Sequence, residues 1–154
     1  MALQFVTKNR LARIDESIQG EPTSVDGTKT ADLDLPYDIG FTAGFNKDMG
    51  PDPTKLVVGI YGQMVMGRAG TFVGEAGYVT TVATGAILIV DVMKNGTTIY
   101  ASTKPQFAIS ATGLTAGVLT VTTFAAGDRI TFKVTQIGST SAGAGIYFTL
   151  KCKV

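Results

Sequence analysis

Two kinds of pattern divide the chain. From residue 37 onward, apolar and polar positions alternate with a period of two, in short runs rich in Thr, Val and Ile and punctuated by Gly or Pro. The clearest run sets Ile130, Phe132 and Val134 against Arg129, Thr131 and Lys133. Another sets Ile146, Phe148, Leu150, Cys152 and Val154 against Tyr147, Thr149, Lys151 and Lys153. Successive side chains of a strand point to opposite faces, so each run predicts a half-buried strand. Further strands are predicted over 37–46, 56–66, 71–82, 86–94, 97–103, 105–110 and 117–123. Roughly nine short strands at this spacing predict an all-β sandwich or barrel.

Before residue 37 the alternation is missing. Leu11, Ile14 and Ile18 fall at i, i+3 and i+7, with Gly20 placed to end a helix, so this stretch allows one short amphipathic helix. An extended docking strand over Leu3, Gln4, Phe5 and Val6 fits equally well. Residues 21–34 (EPTSVDGTKTADLD) are polar and turn-rich and read as a linker or surface loop. Charge follows the same division: residues 1–36 hold 10 charged side chains, and residues 37–154 hold 15 in 118 positions. The expected organisation is an N-terminal docking arm and linker over 1–36 and a β-sandwich domain over 37–154.

Asn95-Gly96 lies between the runs ILIVDVM and TIYAS. These two residues tolerate the positive φ that a type I′ turn requires, so a tight hairpin is expected there. The strand before it is apolar on both sides, with Ala86, Leu88, Val90 and Val92 on one face and Ile87, Ile89 and Met93 on the other. Residues 56–66 (LVVGIYGQMVM) behave similarly. A two-layer sandwich wets the outer side of each sheet, so a doubly apolar strand implies that its outer face meets the arm or another subunit. Val58, Ile60, Met64, Ile87, Ile89 and Met93 are the residues expected at such a subunit interface.

Composition narrows the chemistry. The 154 residues include 22 Thr and 19 Gly but one Cys, no His and no Trp, and 13 basic against 12 acidic residues give a net charge of +1. Without His, neither a Ser-His or Cys-His nucleophile pair nor a His-bearing zinc site can be built. The single Cys152 excludes an internal disulfide and reads as a small buried hydrophobe. Near-neutral charge gives no electrostatic reason to expect nucleic acid. The start of the chain lacks a signal peptide's apolar stretch, and the most apolar run, Ala86 to Val90, meets Asp91 far short of membrane-spanning length. Synthesis in a cytoplasm is expected, with no membrane partner.

No phosphate-binding glycine motif occurs, and Gly67, Gly70, Gly74 and Gly77 read as bulges or close backbone approaches. The body's carboxylates, Asp38, Asp48, Asp52, Glu75, Asp91 and Asp128, form no evident catalytic pair. Asp128 follows Ala126-Gly127, where a side-chain bond to its own turn is the ordinary role. Asn46, Asp48 and Asp52 supply oxygens that a calcium ion accepts, without an EF-hand's ligand series. Tyr61, Tyr78, Tyr100 and Tyr147 are candidates to face outward, where they could stack on sugars or line an interface. No cofactor and no catalytic residue is expected.

The stretch ATGAILIVDVMKNGTTIYASTKPQFAI, followed by FAAGDRITFKVTQIGSTSAGAGIYFTL, resembles a β-sandwich domain common in tailed-bacteriophage structural proteins. The shared elements are an apolar strand, Asp and Lys-Asn-Gly-Thr-Thr-Ile over 86–99, a Pro-containing strand over 104–109, Gly-Asp before an alternating strand over 127–134, and a Gly-Ser-Thr turn before the last strand over 138–150. This domain is similar to the trimeric jelly-roll heads of the complement C1q and tumour-necrosis-factor type. The resemblance implies a jelly roll of 8–9 strands and a non-enzymatic virion component that forms a homotrimer. Its partners would be another virion protein of capsid or tail and, for a tail tip, a host surface glycan or protein. The arm would dock through Leu3, Phe5, Leu11, Ile14 and Ile18, and the loops Gly67 to Thr71 and Gly138 to Gly145 would face the environment.

Overall fold

The computed structural model describes residues 35–45 and 53–154. All regular structure in them is strand: β1 (Ile39–Ala43), β2 (Gly59–Val65), β3 (Gly70–Thr81), β4 (Leu88–Lys94), β5 (Thr97–Thr98), β6 (Gln106–Phe107), β7 (Leu114–Thr115), β8 (Thr123–Phe124), β9 (Arg129–Gln136) and β10 (Ala144–Lys153). The predicted arm, with Leu3, Phe5, Leu11, Ile14 and Ile18, lies outside the described residues, as do Asn46, Asp48 and Asp52.

The strands form two antiparallel sheets. A four-stranded sheet runs β1-β10-β3-β8, and a six-stranded sheet runs β2-β9-β4-β6-β7 with β5 also paired to β4. Along the chain, β1, β3, β8 and β10 fall in the first sheet and the intervening strands in the second. Crossing repeatedly between two antiparallel sheets is the connectivity of a β-sandwich. The all-β antiparallel sandwich expected from the alternation is therefore the fold.

The core follows from that alternation. Ile130, Phe132 and Val134 of β9 and Ile146, Phe148 and Leu150 of β10 are all buried, as are Leu88, Val90 and Val92 of β4. Phe132 sits between the sheets, stacked on Phe41 with ring centroids 5.2 Å apart and tilted against Phe148 at 5.1 Å. Phe72 and Phe124 form a second aromatic contact at 4.8 Å.

Three expected strands are largely absent, and of 105–110 only Gln106–Phe107 is strand. Of 97–103, only Thr97–Thr98 is strand, and 117–123 is a loop that reaches β8 only at its end. These two segments bond to each other without a regular ladder: Ala101 N–H to Val118 O, Val118 N–H to Thr103 O and Thr120 N–H to Ile99 O. Leaving the sheet after Thr98 turns both Ile99 and Tyr100 inward, so Tyr100 is buried and not outward-facing.

The two loops expected to face the environment lie at opposite ends of the sandwich. Residues 66–69 sit beside the β8–β9 turn, through Met66 N–H to Asp128 O and Gly127 N–H to Met66 O. The loop after β9 sits at the far end of β3, where Thr81 pairs with Ala144, and is tied to Thr84 by Thr84 N–H to Ser141 O and Thr140 N–H to Thr84 O.

Candidate interaction surfaces

The β-bulge in β2 decides what this strand presents. Gly59 lies opposite Val134 and Ile60 opposite Lys133, but the next matched pair is Gly62 with Phe132, with Tyr61 as the extra residue. One inserted residue reverses the side-chain parity of everything after it. Ile60 therefore points outward, whereas Met64, opposite the buried Ile130, points inward and packs on the core. Met64 is thus removed from the expected interface, because the sequence pattern carries no mark of the bulge.

What remains outward on β2 is Ile60, Gln63 and Val65, preceded by Val57 and Val58. Val57 and Val65 are both 64% exposed, and Val58 and Ile60 are more than half exposed. β2 is an edge strand of the six-stranded sheet. Between Lys55 and Arg68 it carries no charge and no proline, the usual guards of an open edge. The Tyr61 hydroxyl closes its start, accepting the Val57 N–H and donating to the Val57 carbonyl, both at 2.9 Å. Beside it, Thr42, Phe45, Thr54, Lys55, Val57 and Tyr61 help line an open depression of about 410 Å³.

Ile87, Ile89 and Met93 are half-buried and lie on the other side of β9 from Ile60. The outward column of β9 between them is polar: Lys133 lies between Ile60 and Asp91, and Thr131 between Gln63 and Met93. Asp91 is buried although it faces outward, covered by an ion pair with Lys104 and a 2.6 Å hydrogen bond from the Thr98 hydroxyl. The expected apolar face is therefore two strips flanking a cationic column that includes Arg129 and Lys133.

The outer face of the four-stranded sheet offers a second surface. Tyr147 of β10 and Tyr78 of β3 are directly opposite in register, and each is 50% exposed. Phe45 packs on Tyr147 at 5.0 Å. Thr149 and Ala76 form the next pair, flanked by Gly40 of β1, so the platform around the tyrosines is made of small uncharged residues. Tyr147 was legible from the alternation of the last strand. Its pairing with Tyr78 follows from register alone.

The hairpin is as expected: Asn95 has φ +51° and Gly96 φ +90°. Asp128 bonds its own turn, accepting the Ala125 N–H at 2.8 Å. That bond, and then the Asn95 amide, hold its carboxyl below the ordinary value of 3.8, with Lys94 adding to both. Cys152 is buried, and loss of hydration pushes its thiol up to about 12, with Asp38 adding to the effect. Among the described residues no group of three or more His, Cys, Asp or Glu side chains could hold a metal ion, and no helix is long and apolar enough to cross a membrane. No family model matches the chain, and no curated protein matches it.

Proposed function

We propose that this protein is a non-enzymatic structural component of a tailed-bacteriophage virion, a homotrimer that decorates the capsid or forms a head fibre and attaches through its N-terminal arm. The observation that carries this reading is the open, uncharged edge of β2 with Val57, Val58, Ile60 and Val65 exposed together on a β-sandwich. Clustered exposed aliphatics of this kind mark protein–protein contacts more often than solvent-facing surface. The resemblance of residues 86–150 to phage sandwich domains supplies the setting. The reading assigns no catalytic residue and no cofactor.

Leu35 and Val154 pair with each other at the end of the sandwich that holds the Met66 and Asp128 turns. The chain thus leads into the body at that end, which favours Gly138–Gly145, at the opposite end, as the outward loop.

The deciding measurement has two parts. Light scattering of the full chain is expected to give three times the 16.1 kDa chain mass; a stable monomer overturns the trimer. Quantifying the protein against the major capsid protein in purified particles is expected to show many copies per particle, and a few copies overturn capsid decoration.

A second reading, a tail-tip or tail-fibre protein that contacts host glycan or protein, is favoured by the Tyr78–Tyr147 pair. Two half-exposed rings side by side on a flat sheet of small residues suit stacking against a sugar ring. The low copy number that rejects the first reading supports this one.

A further inference from the structure

Asn95 is one of three asparagines in the chain and the only one followed by glycine. A side-chain amide in that setting is open to attack by the next backbone nitrogen, because glycine places no Cβ in the way. The attack closes a succinimide ring. The Gly96 nitrogen bonds to the Asn95 side-chain carbon Cγ, the Cγ–Nδ2 bond breaks, and ammonia leaves with the proton given up by the Gly96 nitrogen. Water then opens the ring at either carbonyl, leaving aspartate or isoaspartate. Asn95, Gly96 and Thr97 are all exposed, so water reaches the site.

The fold holds this reaction back. Asn95 Nδ2 donates to Asp128 Oδ1 at 2.7 Å, and Asn95 Oδ1 accepts the Arg129 N–H at 2.8 Å. The amide is thus gripped at both ends by the start of β9, while its backbone is fixed at φ +51° in the hairpin turn. Bringing Cγ to bonding distance of the Gly96 nitrogen requires rotating the side chain and the peptide plane out of that turn, which releases both bonds. The grip is itself anchored. Asp128 Oδ2 accepts the Ala125 N–H at 2.8 Å and pairs with Lys94 Nζ at 3.7 Å. Met66, only 1% exposed, bonds to the same turn through the Asp128 carbonyl and the Gly127 N–H.

We propose that Asn95-Gly96 is a slow deamidation site whose rate is set by the Asp128 clasp and whose product undoes that clasp. Conversion replaces the Nδ2 donor by an acceptor oxygen, so a carboxylate faces the Asp128 carboxylate where a hydrogen bond stood. Like charges at that range repel, and at neutral pH neither group has a proton to share. Lys94 brings one positive charge against two negative ones. The isoaspartate form also adds a backbone carbon to a two-residue hairpin loop, whose length sets the strand register. The consequence is a loosened end of the sandwich, where the β4–β5 turn, the β8–β9 turn and Met66 meet. No step returns the released ammonia, so the fraction converted records the age of the folded protein.

The test follows residue 95 by peptide mapping and intact mass while the full-length protein is incubated at fixed pH, beside the same chain in denaturant. Exchange of the amide nitrogen for oxygen raises the mass, whereas isomerisation at Asp26-Gly27 leaves it unchanged and is not counted. Conversion is expected first in the denatured chain and more slowly in the folded protein. Asp128→Ala leaves the Asn95 amide without its acceptor and should speed conversion about 5- to 30-fold. Phe132→Leu weakens the core without removing a clasp bond and should stay near the wild-type rate. Asn95→Asp carries the product and should show faster amide exchange at Gly127 and Asp128 than the wild type. Equal rates in the folded and denatured chains, an unchanged rate in Asp128→Ala, a Phe132→Leu rate as high as that of Asp128→Ala, or wild-type exchange in Asn95→Asp overturns the proposal.

Discussion

Asn95 and Asp128 lock two turns together from opposite sides of a gap of 33 residues: the Asn95 side-chain amide donates to Asp128 Oδ1 at 2.7 Å. Asn95 Oδ1 accepts the Arg129 N–H at 2.8 Å, and the Asn95 backbone N–H donates to the Arg129 backbone carbonyl at 2.8 Å. One residue therefore both forms the β4–β5 turn and fastens it to the start of β9. Asn95→Ala loses two side-chain bonds and places a Cβ residue without side-chain compensation at φ +51°. The expected loss is about 1–3 kcal/mol by denaturant unfolding. Asn95→Gly relieves the backbone but not the bonds, so its loss should be the smaller of the two.

The same contact gives the acid response a sign. The Asp128 carboxyl is held below its ordinary 3.8 first by the Ala125 N–H and then by the Asn95 amide. A lowered folded pKa contributes stability that is present above the unfolded value and lost as pH falls through the folded one. Wild-type protein should thus lose stability on acidification below about 3.8, and Asp128→Asn should show a shallower loss there. Unfolding curves for both proteins on either side of that value check this.

Phe132 of the six-stranded sheet packs on Phe41 and Phe148, a register pair of the four-stranded sheet. Phe132→Ala should cost about 3–5 kcal/mol, since the cavity opens between layers that cannot close independently. Phe132→Leu should cost markedly less. Thermal or denaturant unfolding of the two variants gives the comparison.

Cys152 should be inert in the folded protein. It is 2% exposed, and its thiol is pushed up to about 12, so very little thiolate exists at mildly alkaline pH. A chromogenic disulfide reagent is expected to react with it at the rate of unfolding. Immediate stoichiometric labelling of native protein would contradict the buried placement.

Ile60 and Met64 separate assembly from folding. Ile60→Glu places a charge on the exposed edge and should change monomer stability by about 0.5 kcal/mol or less while reducing the proposed trimer to single chains. Met64→Glu buries an unpaired carboxylate and should unfold the protein. Light scattering and circular dichroism on both variants make the distinction.

Strands β9 and β10 were legible because each sustains the two-residue alternation over eight or more positions, and β4 because its apolar run ends at the Asn95-Gly96 turn. β6, β7 and β8 are two residues each, too short for any period to show. Met64 was misplaced for a different reason: the extra residue at Tyr61 reverses parity without changing composition. Tyr100 was misplaced because the chain leaves the sheet after Thr98, a path set by the Ile99, Ala101 and Thr103 backbone bonds to 118–120. Among the surfaces, Val58, Ile60 and Tyr147 were visible as outward positions. The polar β9 column that divides the apolar face required the register.

The reciprocal pairing of Leu35 with Val154, N–H to carbonyl at 3.1 and 3.0 Å, has a practical consequence. The sandwich begins and finishes at a single spot, like a bead on a loop of thread. Such a module can be spliced into a surface turn of another protein without forcing that turn apart. A passenger grafted at Ser141 would then be held at the far end from the host, whereas one fused after Val154 would lie against it.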